Sequence, residues 1–182
     1  MRRDAYADAV RHYREATVLF ARARDHEHSV MADIGLADAL TATGDFAEAL
    51  RIYARARMRA GQHALEVPQA LLDESVALLD LARGHYREAL AGFESSRRRY
   101  EHLAMPQNLA IAEKQLADAY LELHLLPEAL TLLLQAQAKF EALDMRSEQA
   151  WALAQTGRVL ARQGDGARAD ACLSQAMELF SE

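Results

Sequence analysis

The chain has 182 residues, 51% hydrophobic and 26% charged, with a formal net charge of −6. That balance belongs to a chain that buries a core and excludes a disordered polyelectrolyte, while richness in Ala, Leu, Arg and Glu with only three prolines favours helices over strands. No run reaches the roughly 20 apolar residues of a membrane span, and Met1-Arg2-Arg3 leads into Asp4 instead of an apolar signal core; with Cys172 as the single cysteine and so no internal disulfide, the expected compartment is the cytoplasm.

The first helix is expected from about Asp4 to Arg24, with Ala5, Ala9, Val10, Tyr13, Ala16, Thr17 and Phe20 on one stripe at three-and-four spacing. Asp25 to His28 reads as a solvated connection, Ser29 as the N-cap of a second helix reaching Thr43, and Gly44 as its left-handed terminator. Asp45 and Glu48 form a capping box for a third helix to about Ala60, before Gly61. Pro68 suits the first turn of a helix to Arg83, closed by Gly84, and the next runs from about His85 to His102. Pro106 opens a helix to about His124 and Pro127 its partner to about Leu143. Ser147 caps a helix through Gln163, and Gly164-Asp165-Gly166 turns into the last, ending near Phe180, for about nine helices in all.

One heptapeptide organises these elements. GDFAEAL (Gly44 to Leu50) returns forty residues later as GHYREAL (Gly84 to Leu90), then as HLLPEAL (His124 to Leu130) and GDGARAD (Gly164 to Asp170), and stepping back lands on DAYADAV (Asp4 to Val10). Each helix pair alone has too little apolar surface for a core, so stacking at a fixed period is required, which is the logic of an α-solenoid. The chain is expected to be one domain, with a half repeat over 1–27 and repeats over 28–65, 66–105, 106–145 and 146–182, cut from a longer protein. Ala9, Ala49, Ala89, Ala129 and Ala169 share a small-residue column where the second helix of each hairpin approaches the first. Tyr6, Phe46, Tyr86 and Leu126, then Tyr13, Tyr53, Phe93, Leu133 and Leu173, then Phe20, Tyr100, Phe140 and Phe180 fill the rows between.

These columns resemble the tetratricopeptide repeat (TPR) superfamily: the Leu-Ala pairs Leu36-Ala37 and Leu116-Ala117, the glycines Gly44, Gly84 and Gly164, the aromatics Phe46 and Tyr86, the pairs Ala49-Leu50, Ala89-Leu90 and Ala129-Leu130, and the small residues Ala56, Ala136 and Ala176. The resemblance covers the whole chain and implies an all-α, right-handed solenoid of stacked antiparallel hairpins. The forty-residue period departs from the family's usual thirty-four and resembles the helical arms of large bacterial signalling proteins, either those preceding caspase-like CHAT peptidase domains or those of ATP-dependent regulators of the maltose-activator type. The texture of residues 100–182 is nearer the first.

Chemistry-bearing motifs are absent: there is no GxxxxGK[ST], no GxGxxG and no nucleophile elbow. Cys172 reads as a small buried hydrophobe, and the Asp25-His26-Glu27-His28 cluster lacks zinc-ligand spacing. No cofactor, metal or catalytic residue is expected. Residues 1–100 hold 15 basic against 15 acidic groups and residues 101–182 hold 6 against 12, so the second part would repel nucleic acid. Arg51, Arg55, Arg57 and Arg59, with Arg97-Arg98-Arg99 on the counterpart helix, read as a solvated outer face paired in part with Glu94 and Glu101; the alternative is an anionic docking surface.

The resemblance also implies a concave groove lined by first helices, one turn from the small-residue column. Carried across, its residues are Met31, Ile34, Asp38 and Thr41; Leu71, Glu74, Leu78 and Leu81; Ile111, Lys114, Asp118 and Leu121; Trp151, Ala154, Arg158 and Ala161. The family's carboxylate clamp of paired Lys and Asn is missing, since Lys114 stands between Glu113 and Asp118. Trp151 is the expected anchor for a helix or extended peptide, with packing inside the solenoid as the alternative. The expected function is a non-catalytic protein-interaction scaffold or sensor arm; the alternative is a small-molecule-sensing arm of a signalling ATPase or transcription regulator. Self-association through exposed solenoid ends is also open, and an enzyme finds no support in the sequence.

Overall fold

The computed structural model describes the backbone of residues 2–181 and the side chains of residues 6–181. Met1 and Glu182, the outer bounds of the expected domain, lie outside the described residues. Among the described residues the chain forms nine helices and no strand: α1 (Arg2–Ala23), α2 (His26–Thr43), α3 (Phe46–Gln62), α4 (Glu66–Ala82), α5 (Tyr86–His102), α6 (Pro106–Glu122), α7 (Leu126–Ala142), α8 (Arg146–Arg162) and α9 (Gly166–Ser181).

The links between them repeat at half the sequence period. One residue per link takes a left-handed backbone: Arg24, Gly44, Ala64, Gly84, Ala104, His124, Asp144 and Gly164, at steps of twenty. The amide that follows bonds back across the helix end, as in Asp45 N to Leu40 O at 2.9 Å, Leu65 N to Ala60 O at 2.9 Å, Met105 N to Tyr100 O at 3.0 Å and Asp165 N to Leu160 O at 3.0 Å. This is the six-to-one bond of a Schellman turn, which satisfies a carbonyl that the helix end leaves open. The same residue then starts the next helix, its carbonyl accepting from four residues on, as in Ala49 N to Asp45 O and Gln149 N to Met145 O. Each link thus closes one helix and opens the next, and a forty-residue unit is two structurally equal halves.

This scheme moves two expected caps. Asp25, not Ser29, is the N-cap of α2, its carboxylate accepting from His28 N at 3.1 Å. Helix α8 begins at Arg146, two residues after left-handed Asp144, so Ser147 sits inside its first turn and Met145 at the cap position makes no side-chain bond. Asp45 does cap α3, accepting from Glu48 N at 3.2 Å, and Gly61 lies within that helix.

The contacts divide the chain into two compact units, one reaching Arg99 and the other starting at Tyr100. In the first unit Val30, Ile34, Leu36, Leu40, Ile52, Tyr53, Leu72 and Leu79 form one core across α2, α3 and α4. In the second, Phe140 packs with Ala110, Ala136 and Ala152, and Leu133 packs with Ala117 and Val159. Ala49, Ala89 and Ala129 are fully buried and Ala169 nearly so, as close helix approach requires. Large residues at the same register differ in burial: Phe93, Tyr100, Phe140 and Leu133 are buried, whereas Tyr6, Tyr13, Tyr86, Leu173 and Phe180 are exposed. Cys172, expected in the core, is half-exposed.

Candidate functional site

In the second unit the first-helix stripes of α6 and α8 come together. Ile111, Lys114, Asp118 and Leu121 follow three-four-three spacing and share one face of α6; Trp151, Ala154, Arg158 and Ala161 do the same on α8. The structure brings the two stripes together. Lys114 Nζ lies 4.6 Å from the centre of the Trp151 ring, a cation–π contact. Trp151 itself is half-buried and packs against two core clusters of the unit, so it is part core and part accessible. One turn further along, Asp118, Leu121, Glu122 and His124 face Gln155, Arg158, Val159 and Arg162 across a cleft of about 370 Å³.

The cleft keeps its charges apart. Asp118 is half-buried and forms no hydrogen bond or ion pair among the described residues. Loss of water pushes its carboxyl up to about 6; Lys114 opposes the shift and Glu122 adds to it. On the other wall Arg158 is exposed and donates to Gln155 Oε1 at 2.9 Å.

The first unit treats the same columns differently. Met31 and Leu78 are exposed and Leu71 is half-buried. Asp38 accepts from the Tyr53 hydroxyl at 2.5 Å. Burial raises the Asp38 carboxyl, while hydrogen bonds from Tyr53 and Ser75 pull it back; the Tyr53 hydroxyl is itself pushed up by burial and by Asp38. Ile34 and Glu74 depart from the expected groove: Ile34 is 1% exposed and Glu74 is buried as well. The cause is that α2 packs directly on α4 as well as on α3, which draws Ile34 into the core with Leu72 and Leu79.

The arginines are also reassigned. Arg97 and Arg98 reach Glu94 as expected and Arg51 bonds the Ala47 carbonyl on its own helix, but Arg55, Arg57, Arg59 and Arg99 are committed to buried carboxylates. Asp33, fully buried, receives Arg55 at 2.6 Å, Arg59 at 3.1 Å and the Thr17 hydroxyl at 3.2 Å. Asp73 receives Arg57, Arg99 at 2.9 Å and the Ser95 hydroxyl at 2.7 Å. This face is a set of structural ion pairs, because a buried carboxylate persists only when paired and hydrogen-bonded.

Sequence reasoning missed Glu122, Gln155 and Arg162, which line the cleft. Glu122 and Arg162 stand four residues after Asp118 and Arg158, so extending each stripe by one turn would have found them. His26 and His28, read as a loop, belong to the first turn of α2: His26 stacks on His63 with centroids 3.7 Å apart and His28 bonds Asp25 at 2.8 Å. Among the described residues no group of three or more metal-ligating side chains gathers, and no helix is long and apolar enough to cross a membrane.

No protein-family model matches the chain, and no curated protein matches it. Solved structures do. BtubC (BKLC) from P. vanneervenii superposes with a TM-score of 0.84 at 19% identity, covering 97% of this chain and 74% of that one. A Podospora anserina putative kinesin light chain with nearly identical TPR-like repeats gives a TM-score of 0.72 at 17% identity, covering 97% and 87%. MamA RS-1, as a double mutant, gives 0.61 at 18% identity, covering 96% of each chain. At such identities the likeness establishes the fold: an all-α, TPR-like repeat solenoid.

Proposed function

We propose that the chain is a non-catalytic protein-interaction module whose second unit binds a peptide or helix of a partner protein in the cleft between α6 and α8. One observation carries this: the stripes of two separate helices converge, with Lys114 over the Trp151 ring and, one turn further along, Asp118 and Arg158 on facing walls of a charged cleft. A half-buried aromatic ring beside charged groups is the composition of an interface anchor with its rim. Repeat solenoids support the reading, since stacked helix pairs present long binding surfaces without needing catalytic residues. In a longer parent, such an arm would pass partner binding to a neighbouring effector domain.

Trp151 is the one tryptophan of the sequence, so its fluorescence reports the site directly. Random peptides selected by display on the full chain should shift that emission on titration, and Trp151→Ala should lose them. Failure to enrich any peptide would overturn the proposal. A second reading rests on the cleft volume of about 370 Å³, which falls in the range of small-ligand pockets; a thermal-shift screen that raises the melting temperature with metabolites while peptides give no signal would favour it.

A further inference from the structure

Resting on the reading that the second unit binds a protein segment, we infer that the cleft between α6 and α8 selects a segment bearing a cationic side chain, Lys or Arg, which docks on Asp118. The cleft has an acidic wall, Asp118 and Glu122, and a basic wall, Arg158 and Arg162. The partner's charge follows from which wall gains more. Asp118 is half-buried, has no hydrogen bond or ion pair among the described residues, and is already penalised for its charge by lost water. An incoming cation returns to it what desolvation removed. Arg158 and Arg162 are exposed, and Arg158 is already bonded to Gln155; solvated guanidinium groups gain little from one more anion.

Two further observations point the same way. The second unit carries 6 basic against 12 acidic residues, so its long-range field draws in a basic segment and repels an acidic one. The nearest cation on α6, Lys114, is held over the Trp151 ring at 4.6 Å and makes no ion pair with Asp118. The cation position beside Asp118 is therefore open to the partner.

The groups facing Asp118 are Lys114 and Glu122 on α6, His124 at the following link, and Arg158 and Arg162 on α8. A docked cation favours the ionised carboxylate, so binding strengthens as pH rises through about 6 and weakens below it.

The test selects random peptides by display on the full chain at neutral pH, then measures their affinity for wild type, Asp118→Asn and Arg158→Gln at neutral pH and at about pH 5. Enrichment of Lys or Arg is expected. Asp118→Asn should weaken those peptides about tenfold or more and remove the pH dependence, while Arg158→Gln, which takes a like charge off the facing wall, should tighten them. Exchanging the peptide's own Lys or Arg for Gln should reproduce the loss with the protein untouched. Peptides enriched in Asp or Glu, or without charge preference, overturn this inference and leave the protein-binding reading standing; no enrichment overturns both.

Discussion

Lys139 on α7 places its ammonium 2.9 and 2.8 Å from the two oxygens of Glu113 on α6, whose side chain is only 3% exposed. The pair is 26 residues apart, as are Arg59 with Asp33 and Arg99 with Asp73. A buried acid on the first helix and a base on the second thus recur at the repeat interval. The next step along the chain holds Leu153 and Leu179, so both members change to apolar residues together.

That joint change suggests a test of what the pairs contribute. Lys139→Leu strands a buried carboxylate and should cost about 3 kcal/mol, because an uncompensated buried charge is the expensive case. Glu113→Leu leaves Lys139, which is 33% exposed and can turn to water, and should cost about 1 kcal/mol or less. The double variant, copying Leu153 and Leu179, should recover most of the Lys139→Leu loss. Urea melts of all four proteins check this; equal losses in both single variants would refute the asymmetry.

The links make a second prediction. Ala64 and Ala104 hold φ of 52° and 51°, a backbone that costs a residue with a Cβ about 1 kcal/mol. Ala64→Gly and Ala104→Gly should each stabilise by roughly 0.5–1 kcal/mol in thermal or urea unfolding. Gly84→Ala should lose a similar amount through φ alone, since a Cβ there meets nothing within 4 Å. Destabilisation by Ala64→Gly would mean that chain entropy outweighs the relief of strain.

Close helix approach makes a third. A Cβ at Gly92 would stand 2.8 Å from the Ala77 Cβ and 3.1 Å from the Asp73 carbonyl oxygen, neither of which can swing aside. Gly92→Ala should therefore destabilise by about 1–3 kcal/mol. At Gly35 the conflict is with the Tyr13 ring at 2.5 Å, the far end of an exposed and rotatable side chain, so Gly35→Ala should cost less than about 1 kcal/mol. Unfolding midpoints of the two variants compare the effects, and the reverse order would contradict this packing.

How much of this was legible follows from where each signal lies. Gly44, Gly84 and Gly164 mark three links, and the forty-residue register follows from them; the twenty-residue register is hidden because Arg24, Ala64, Ala104, His124 and Asp144 adopt the same backbone without a glycine to announce it. The ion pairs left a readable trace in the columns Asp33, Asp73 and Glu113 against Arg59, Arg99 and Lys139, but local three-and-four spacing looks for partners on the same helix and finds Glu94 instead. Three-and-four spacing read on α6 and α8 gives two stripes that meet at Lys114 and Trp151. It failed at Ile34 and Glu74, because direct packing of α2 on α4 is a tertiary fact that no stripe on either helix encodes.

Asp118 gives the last prediction, on pH. Its folded carboxyl is raised to about 6 from the ordinary aspartate value of 3.8, chiefly by burial, so the folded state holds the proton more tightly than the unfolded chain. The stability that this adds is complete below the unfolded value and is lost as pH rises through about 6, leaving a destabilising charge at neutral pH. Asp118→Asn should therefore raise the urea midpoint at neutral pH and raise it less at pH near 4. Lys114→Met should push the Asp118 midpoint higher, because Lys114 lowers it, and Glu122→Gln should bring it down. Carbon-13 carboxyl titration follows each midpoint. An Asp118 midpoint near that of an unburied carboxylate would contradict both the burial and the use of this group as the cleft's cation acceptor, and a wild-type midpoint that falls on addition of a Lys- or Arg-bearing peptide would link the two directly.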